Sequence, residues 1–494
     1  MITYKLTESS PAYQAYCNVI GGVALTIALF MTGPVIAQAP SSHRNNPAAD
    51  SERQALPSPS GDPIGIDPAT DPILNLARVA TPMPEFRLAI GAAVMRNPGL
   101  GEAIAQRDEA QAARNEARAR QYPTLDIAVS SFRVVSRRFS DDPQNLLERQ
   151  RPAFRTDATG RLQQPLMDFG ASSSRIRAGN KRLEAAIAGI EDSSTQIALR
   201  AIAAWCNIYG YRALVKLGEA FAASQAALRD KIAERIKSGV AAPADAAQVE
   251  SYIASSNAQL SDFRRPLANA EAQYIELVGR PAPVALGRAP PPDLAILSSA
   301  SLGDDAGALP AVRAARSIAD AAAQELKAAK SEQLPALSFG FDVGRYGFIE
   351  NNGDYDARAS LSLNFRLFGG GAQRVAQYAA RAHGADARFR RTRAEAERDA
   401  NIAWTDVVAL EESRAAIEDN YIASRRSRDV LVERFRVARG TLFDVLGAEA
   451  NYFSVAARYV ETVTELDAAR YVLLARTGKL LNLLGIESIA MRRQ

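Results

Sequence analysis

The chain has 494 residues, 47% hydrophobic and 23% charged, with 59 Lys+Arg against 55 Asp+Glu and a formal net charge of +4. That length holds two or three domains with ample apolar residues for a core, and near-neutrality gives no reason to expect nucleic acid. Two cysteines (Cys17, Cys206) and two distant histidines (His43, His383) exclude a disulfide scaffold, a cysteine zinc site and a metal cluster. They leave few options for a general base, so neither an enzyme nor a cofactor is expected.

The N-terminus reads as an export signal. An apolar run from Val19 to Met31 is about a dozen residues, too short for a bilayer, and small residues follow Pro34. Cleavage after Ala37 gives a signal peptide over 1–37, which takes Cys17 with it. Residues 38–85 turn to Pro, Ser, Ala and Asp, a composition that cannot bury enough apolar surface, and read as a Pro-rich tether.

From there the chain is duplicated. Pro98 and Pro123 match Pro310 and Pro335 at an offset of 212, and Leu166 matches Leu367 at 201. Trp205 matches Trp404, Asp245 matches Asp444 and Gly279 matches Gly478, all at 199. An ordered series with so long a period means a doubled module and not a solenoid. The expected organisation is a first repeat over 86–286, a linker over 287–309, a second repeat over 310–486 and a tail over 487–494.

Each repeat opens with an Ala-rich helix, about 86–121 and 310–333, ended by the proline. Two strand-like runs follow, then a very long helix (about 171–237 and 372–436) and a last one (about 243–278 and 442–476). Leu183, Ile187, Ile190, Ser194, Ile197, Ala201, Trp205 and Ile208 step by four and three, a seam of coiled-coil type. A helix of that length is roughly 100 Å long, out of place in a compact domain.

From 356 to 367 apolar and polar residues alternate without exception, Leu337, Phe339, Phe341 and Val343 alternate with Ser338, Gly340, Asp342 and Gly344, and Leu125, Ile127 and Val129 open the matching strand. The run at Phe154–Gln164 alternates more weakly. The pattern suits a soluble half-buried sheet or membrane strands with lipid outside and water inside; export and the absence of any other sheet favour the membrane. Four strands cannot close a barrel in lipid, so the chain must oligomerise: a dimer supplies eight strands and a trimer twelve.

At this point the sequence resembles the TolC family of outer-membrane efflux and secretion proteins, over roughly residues 86–486. The resemblance rests on Asn97-Pro98-Gly99-Leu100, on Tyr122-Pro-Thr-Leu125 with Leu334-Pro-Ala-Leu337, and on Gln164-Pro-Leu-Met-Asp-Phe-Gly170 with Leu367-Phe-Gly-Gly370. Its most specific piece is Arg439-Gly-Thr-Leu-Phe-Asp-Val-Leu446. The fold class this implies is α+β, mostly α: a long coiled-coil-like helical barrel joined to a transmembrane β-barrel, four strands per chain and twelve in a homotrimer, with internal duplication. It also implies contact with outer-membrane lipid, a periplasmic adaptor (membrane fusion) protein and an inner-membrane pump of ABC or RND type.

Carried over residue by residue, Asp444 falls at the narrow periplasmic entrance, where symmetry copies form an acidic ring. Gly447 stands where the family's best-known member has a second aspartate. Phe435 and Gly440 replace a tyrosine and an arginine that latch that entrance, so closure by those hydrogen bonds is lost here. A helix-capping acid is the plainer reading of Asp444, as of Asp245. The tips Gly239-Val240-Ala241-Ala242 and Arg439-Gly440-Thr441-Leu442 are the expected adaptor contacts.

Other motifs fail. Asp168-Phe-Gly170 lacks the companions of a kinase metal motif and reads as a strand-to-helix turn, as does Gly369-Gly-Gly371. Trp205 and Trp404 read as seam residues, and His383 and the arginines of 388–398 as a solvated helix face. The expected function is an outer-membrane export duct, passive in itself, serving type I protein secretion or small-molecule efflux. The alternative is an exported periplasmic coiled-coil scaffold or adaptor without a channel.

Overall fold

The computed structural model describes residues 56–57, 67–137, 152–295, 297–350, 354–366 and 368–486. The signal peptide, most of the tether before residue 67 and the C-terminal tail lie outside the described residues.

In chain order the elements are α1 (Pro72–Asn75), α2 (Met83–Arg96), α3 (Pro98–Ala119), β1 (Thr124–Arg133), β2 (Phe154–Met167), α4 (Ala171–Lys237) and α5 (Pro243–Val278). Then come α6 (Leu302–Gly307), α7 (Pro310–Ser331), β3 (Ala336–Tyr346), β4 (Tyr355–Asn364), α8 (Gly371–Arg436), α9 (Leu442–Arg476) and α10 (Leu480–Leu484). The two repeats are the runs α3-β1-β2-α4-α5 and α7-β3-β4-α8-α9.

The single opening helix expected over 86–121 is two helices. Pro98 has no N–H to donate and pushes Asn97 into extended backbone (φ −66°, ψ 129°). The Asn97 side chain then accepts from the Gly99 N–H at 2.9 Å and starts α3 afresh. The tether is also more than a spacer where it is described: Ile73 and Leu74 are buried against α4 and α9, and Tyr209 Oη donates to the Leu76 carbonyl at 2.9 Å.

The sheet has order β1-β2-β3-β4, all antiparallel. Below it the helices stand in two tiers. Next to the sheet the row is α3, α4, α7, α8; towards the far tips it is α5, α4, α9, α8. In every tier the same ends are left over: β1, α3 and α5 on one side, β4 and α8 on the other.

The core sits between helices, not under the sheet. Six of the eight seam positions of α4 are buried (Ile190, Ser194, Ile197, Ala201, Trp205, Ile208), with Leu183 and Ile187 half-buried nearer the sheet. Trp205 packs edge-on against Phe86 at 5.3 Å and donates its indole N–H to the Gly287 carbonyl at 2.9 Å. Trp404 packs half-buried against the same core, and His383 is exposed. Among the described residues no helix is long and apolar enough to cross a membrane.

Candidate functional site: the sheet faces and the helix tips

Because strand side chains alternate faces, the pairing register sorts the sheet into two surfaces. One face carries the rows Leu125–Leu162–Phe341–Ala359 and Ile127–Gly160–Val343–Ala357. Leu125, Ile127, Val129, Leu361 and Leu363 on it are 61% to 76% exposed. So large an apolar patch in water is a liability; against lipid it is what a spanning strand needs.

The other face carries the row Asp126–Arg161–Asp342–Arg358, charges of alternating sign across all four strands. Arg161 Nε sits 2.6 Å from Asp342 Oδ1. Charges of this kind face water in a membrane barrel. Aromatic and apolar residues mark both rims: Phe154 and Tyr355 at the hairpin end, Tyr122, Phe365 and Phe368 at the helix end, all exposed.

At the strand-to-helix passage Asp168 accepts from the Gly170 N–H (3.1 Å) and the Ser172 N–H (2.6 Å), capping α4. The turn reading of Asp168-Phe-Gly170 is what the structure shows.

At the opposite end the two helix tips repeat one geometry at the 199-residue offset. In the first, Gly239 is left-handed (φ 70°) and the Val240 N–H reaches back to the Arg235 carbonyl at 2.9 Å. In the second, Ala438 takes the left-handed position (φ 59°) and the Arg439 N–H reaches Arg434 at 2.8 Å. Alanine there carries strain that glycine does not.

Asp444 is exposed at the start of α9. Its Oδ2 accepts from Thr441 Oγ1 at 2.7 Å and from the Thr441 N–H at 3.3 Å, while Thr441 Oγ1 accepts from the Asp444 N–H at 3.2 Å. These bonds, the Thr441 hydroxyl first, hold its carboxyl below the usual range. Asp245 does the same for α5, accepting from the Ala242 N–H at 3.0 Å. In the single chain, then, Asp444 is a capping acid; its carboxylate remains exposed.

Phe435 is half-buried among Ile232, Val249, Leu442 and Leu446, and the Arg235 guanidinium lies 4.6 Å from its ring centre. That cation–π contact joins one tip to the other without a hydrogen bond from a phenol. Gly447 is exposed with open space around it. At Gly440 a Cβ would stand 3.2 Å from the Phe435 nitrogen, so the turn leaves little room. Val240, Val437 and Phe443 are exposed apolar side chains at the tips. Val437 has no mark in the sequence and Phe443 only its place in the Arg439–Leu446 motif, because nothing in a helix-start pattern separates an exposed apolar residue from a buried one.

Four strands with one apolar and one charged face, carried on paired helices of 67 and 66 residues, define a subunit of an outer-membrane channel. Comparison with known proteins gives the same class. The outer membrane efflux protein family model matches residues 89–280. The outer membrane efflux protein BepC of Brucella suis biovar 1 (strain 1330) is 23% identical over 341 residues, 66% of this chain and 73% of its own. Two solved structures share the fold: the outer-membrane channel OprN (TM-score 0.72, 17% identity, 91% of this chain and 99% of that one) and the outer membrane protein VceC of Vibrio cholerae (0.69, 21%, 81% and 96%). These matches agree with the resemblance read from the motifs, to the TolC family of outer-membrane efflux channels. The protein is placed in the outer membrane and extends into the periplasm.

Proposed function

We propose that this chain is the outer-membrane duct of a tripartite export system. Three copies share one twelve-stranded barrel, continued through the periplasm by the helices. The observation that carries the reading is the four-stranded sheet, apolar on one face, charged on the other and unpaired at both edges. Lipid does not tolerate an open edge, so the sheet functions only as part of a closed ring. The duct is passive: a periplasmic adaptor docks at the tips, with Gly239–Ala242, Arg439–Leu442 and the exposed Val240 and Phe443 as the contact surface, and an inner-membrane ABC or RND-type pump supplies the energy. Asp444 lines the entrance in three copies. The two repeats, 86–286 and 310–486, are the two halves of the subunit wall.

Small-molecule efflux is the substrate class favoured, because the family matched is that of efflux proteins. Deletion of the gene tests it through intracellular accumulation of a cationic dye. Restored export by the intact chain, and not by a Val240→Glu, Phe443→Glu double variant that still reaches the outer membrane, supports the reading. Unchanged dye accumulation with loss of a protein from the medium would move the assignment to type I secretion.

A further inference from the structure

The unpaired edges carry information about what completes them. The offsets of the duplication, 212 for the first strand of each hairpin and 201 for the second, can be checked against the pairing itself. Leu125↔Leu162 becomes Leu337↔Leu363, and Ile127↔Gly160 becomes Phe339↔Leu361; both are observed pairs. The two hairpins are therefore one unit used twice, in register as well as in sequence.

The β2–β3 junction between the hairpins is then the pattern for the junction that the single chain lacks. β2 has a neighbour on each side and runs 14 residues; β4 has one neighbour and stops after 10, at Asn364. Yet the sequence alternation of β4 continues through Phe365, Arg366 and Leu367. Those residues correspond to Gln164–Leu166, of which Gln164 and Pro165 still pair with Phe339 and Ser338 of β3.

Resting on the duct reading above, in which a second copy of this chain completes the edge, we infer the register of that junction. β4 of one copy pairs antiparallel with β1 of the next, with Leu363 opposite Val129, Phe365 opposite Ile127 and Arg366 opposite Asp126. These pairs are the images of Leu162↔Phe341, Gln164↔Phe339 and Pro165↔Ser338. The register sets apolar residues against apolar ones on the lipid face at Leu363–Val129 and Phe365–Ile127, and an ion pair on the water face at Arg366–Asp126.

The width of the wall favours the same register. Asp126 lies in one row with Asp342, but its image in the repeat is Ser338, four residues away across two strands. That displacement of ~13 Å along the strands for ~10 Å across them is a tilt of roughly 55°. It is steeper than the 35–45° usual for barrels. A strand so tilted occupies about 8 Å of the circumference, against about 6 Å at 40°. The tier below has one helix for each strand, and packed helices are 8–10 Å apart. The steep register is the one that lets a strand wall continue into a helix wall without a step.

The competing register simply extends the charge row, placing Arg358 opposite Asp126 of the next copy. It adds only an exposed ion pair, which solvent screens and which contributes little. It also gives that junction and the whole chain no net displacement, and a barrel without stagger cannot close with tilted strands.

The test uses the full chain with Cys17→Ser, in isolated outer membranes; Cys206 is buried and stays out of reach. Val129→Cys is combined in turn with Leu363→Cys, Ala359→Cys or Tyr355→Cys, and Ser130→Cys with Ser362→Cys covers the water face. After mild oxidation the 129/363 and 130/362 pairs are expected to convert most of the protein to covalent multimers on a non-reducing gel, the other two pairs little. Cross-linking that is strongest for 129/359 or 129/355, or none at 129/363 and 130/362 in a protein that is still multimeric by native gel, overturns the register and leaves the duct. A protein that is monomeric throughout overturns both.

Discussion

Tyr421 in α8 donates its hydroxyl to the carboxylate of Asp71, 350 residues earlier, at 2.9 and 3.1 Å. Asp71 is fully buried; it also caps α1 through the N–H groups of Ile73 and Leu74 and pairs with Arg425. Tyr421 Oη in turn sits 2.9 Å from Tyr452 Oη of α9, and Arg428 donates to the Pro57 carbonyl at 3.0 Å. The N-terminal segment is thereby pinned to one face of α8 at positions 421, 425 and 428.

Asp71→Ala leaves Arg425 and Tyr421 without their buried acceptor. It should cost about 3 kcal/mol, the range seen when one partner of a buried pair is removed. Thermal unfolding measures the loss, and limited proteolysis should find residues 67–82 cut faster. Tyr421→Phe, which removes one hydroxyl, should cost about 1 kcal/mol.

Glu449, buried in α9, has its carboxyl held above the usual glutamate range, chiefly because burial disfavours its charge; nearby Arg428 opposes this and Asp429 adds to it. A raised folded value means that the folded chain keeps the proton to higher pH than the unfolded chain. The stability it contributes is complete below the ordinary glutamate pKa and is lost as pH rises through the raised one. Glu449→Gln should therefore raise the melting temperature at pH 8, with the gain shrinking towards pH 4.

Ala438 occupies a left-handed turn position that its repeat partner fills with Gly239. Ala438→Gly should relieve roughly 1 kcal/mol of backbone strain. The reciprocal Gly239→Ala should cost a similar amount. Amide hydrogen exchange at the two tips reads both: protection of the α8–α9 turn rises in the first variant, and that of the α4–α5 turn falls in the second.

Arg288, from the segment that joins the repeats, meets Asp467 of α9 by two bonds, 2.5 Å from Nε and 2.6 Å from Nη2, both side chains buried. Asp467→Asn strips the charge partner from a buried guanidinium and should cost about 3–5 kcal/mol. Replacing both residues by apolar ones of similar size should cost much less, which a double-mutant cycle on unfolding free energies shows.

The sequence made the repeating parts legible and left the singular ones hidden. Periodicity located the long helices to within a residue or two, since many positions vote on each, and strict alternation located β3 and β4. The alternation runs on past Asn364, where β4 ends, because alternation marks where a strand can pair and not whether a neighbour stands beside it. The break at Asn97–Pro98 was overridden by an Ala-rich pattern on both sides. Asp71–Tyr421 and Arg288–Asp467 left no local trace: each joins segments more than 170 residues apart, and one partner of each lies in a stretch whose composition resembles a linker. At the tips the sequence marked the turn residues, while the cation–π contact of Arg235 on Phe435 needed the two tips side by side in space.

The central claim is that this chain forms a closed ring with copies of itself in the outer membrane. The direct measurement is the protein mass of the particle extracted in detergent from isolated outer membranes, by light scattering with the detergent contribution subtracted. A mass of three chains is the predicted result. A monomer, or absence of the protein from that membrane, would contradict the account.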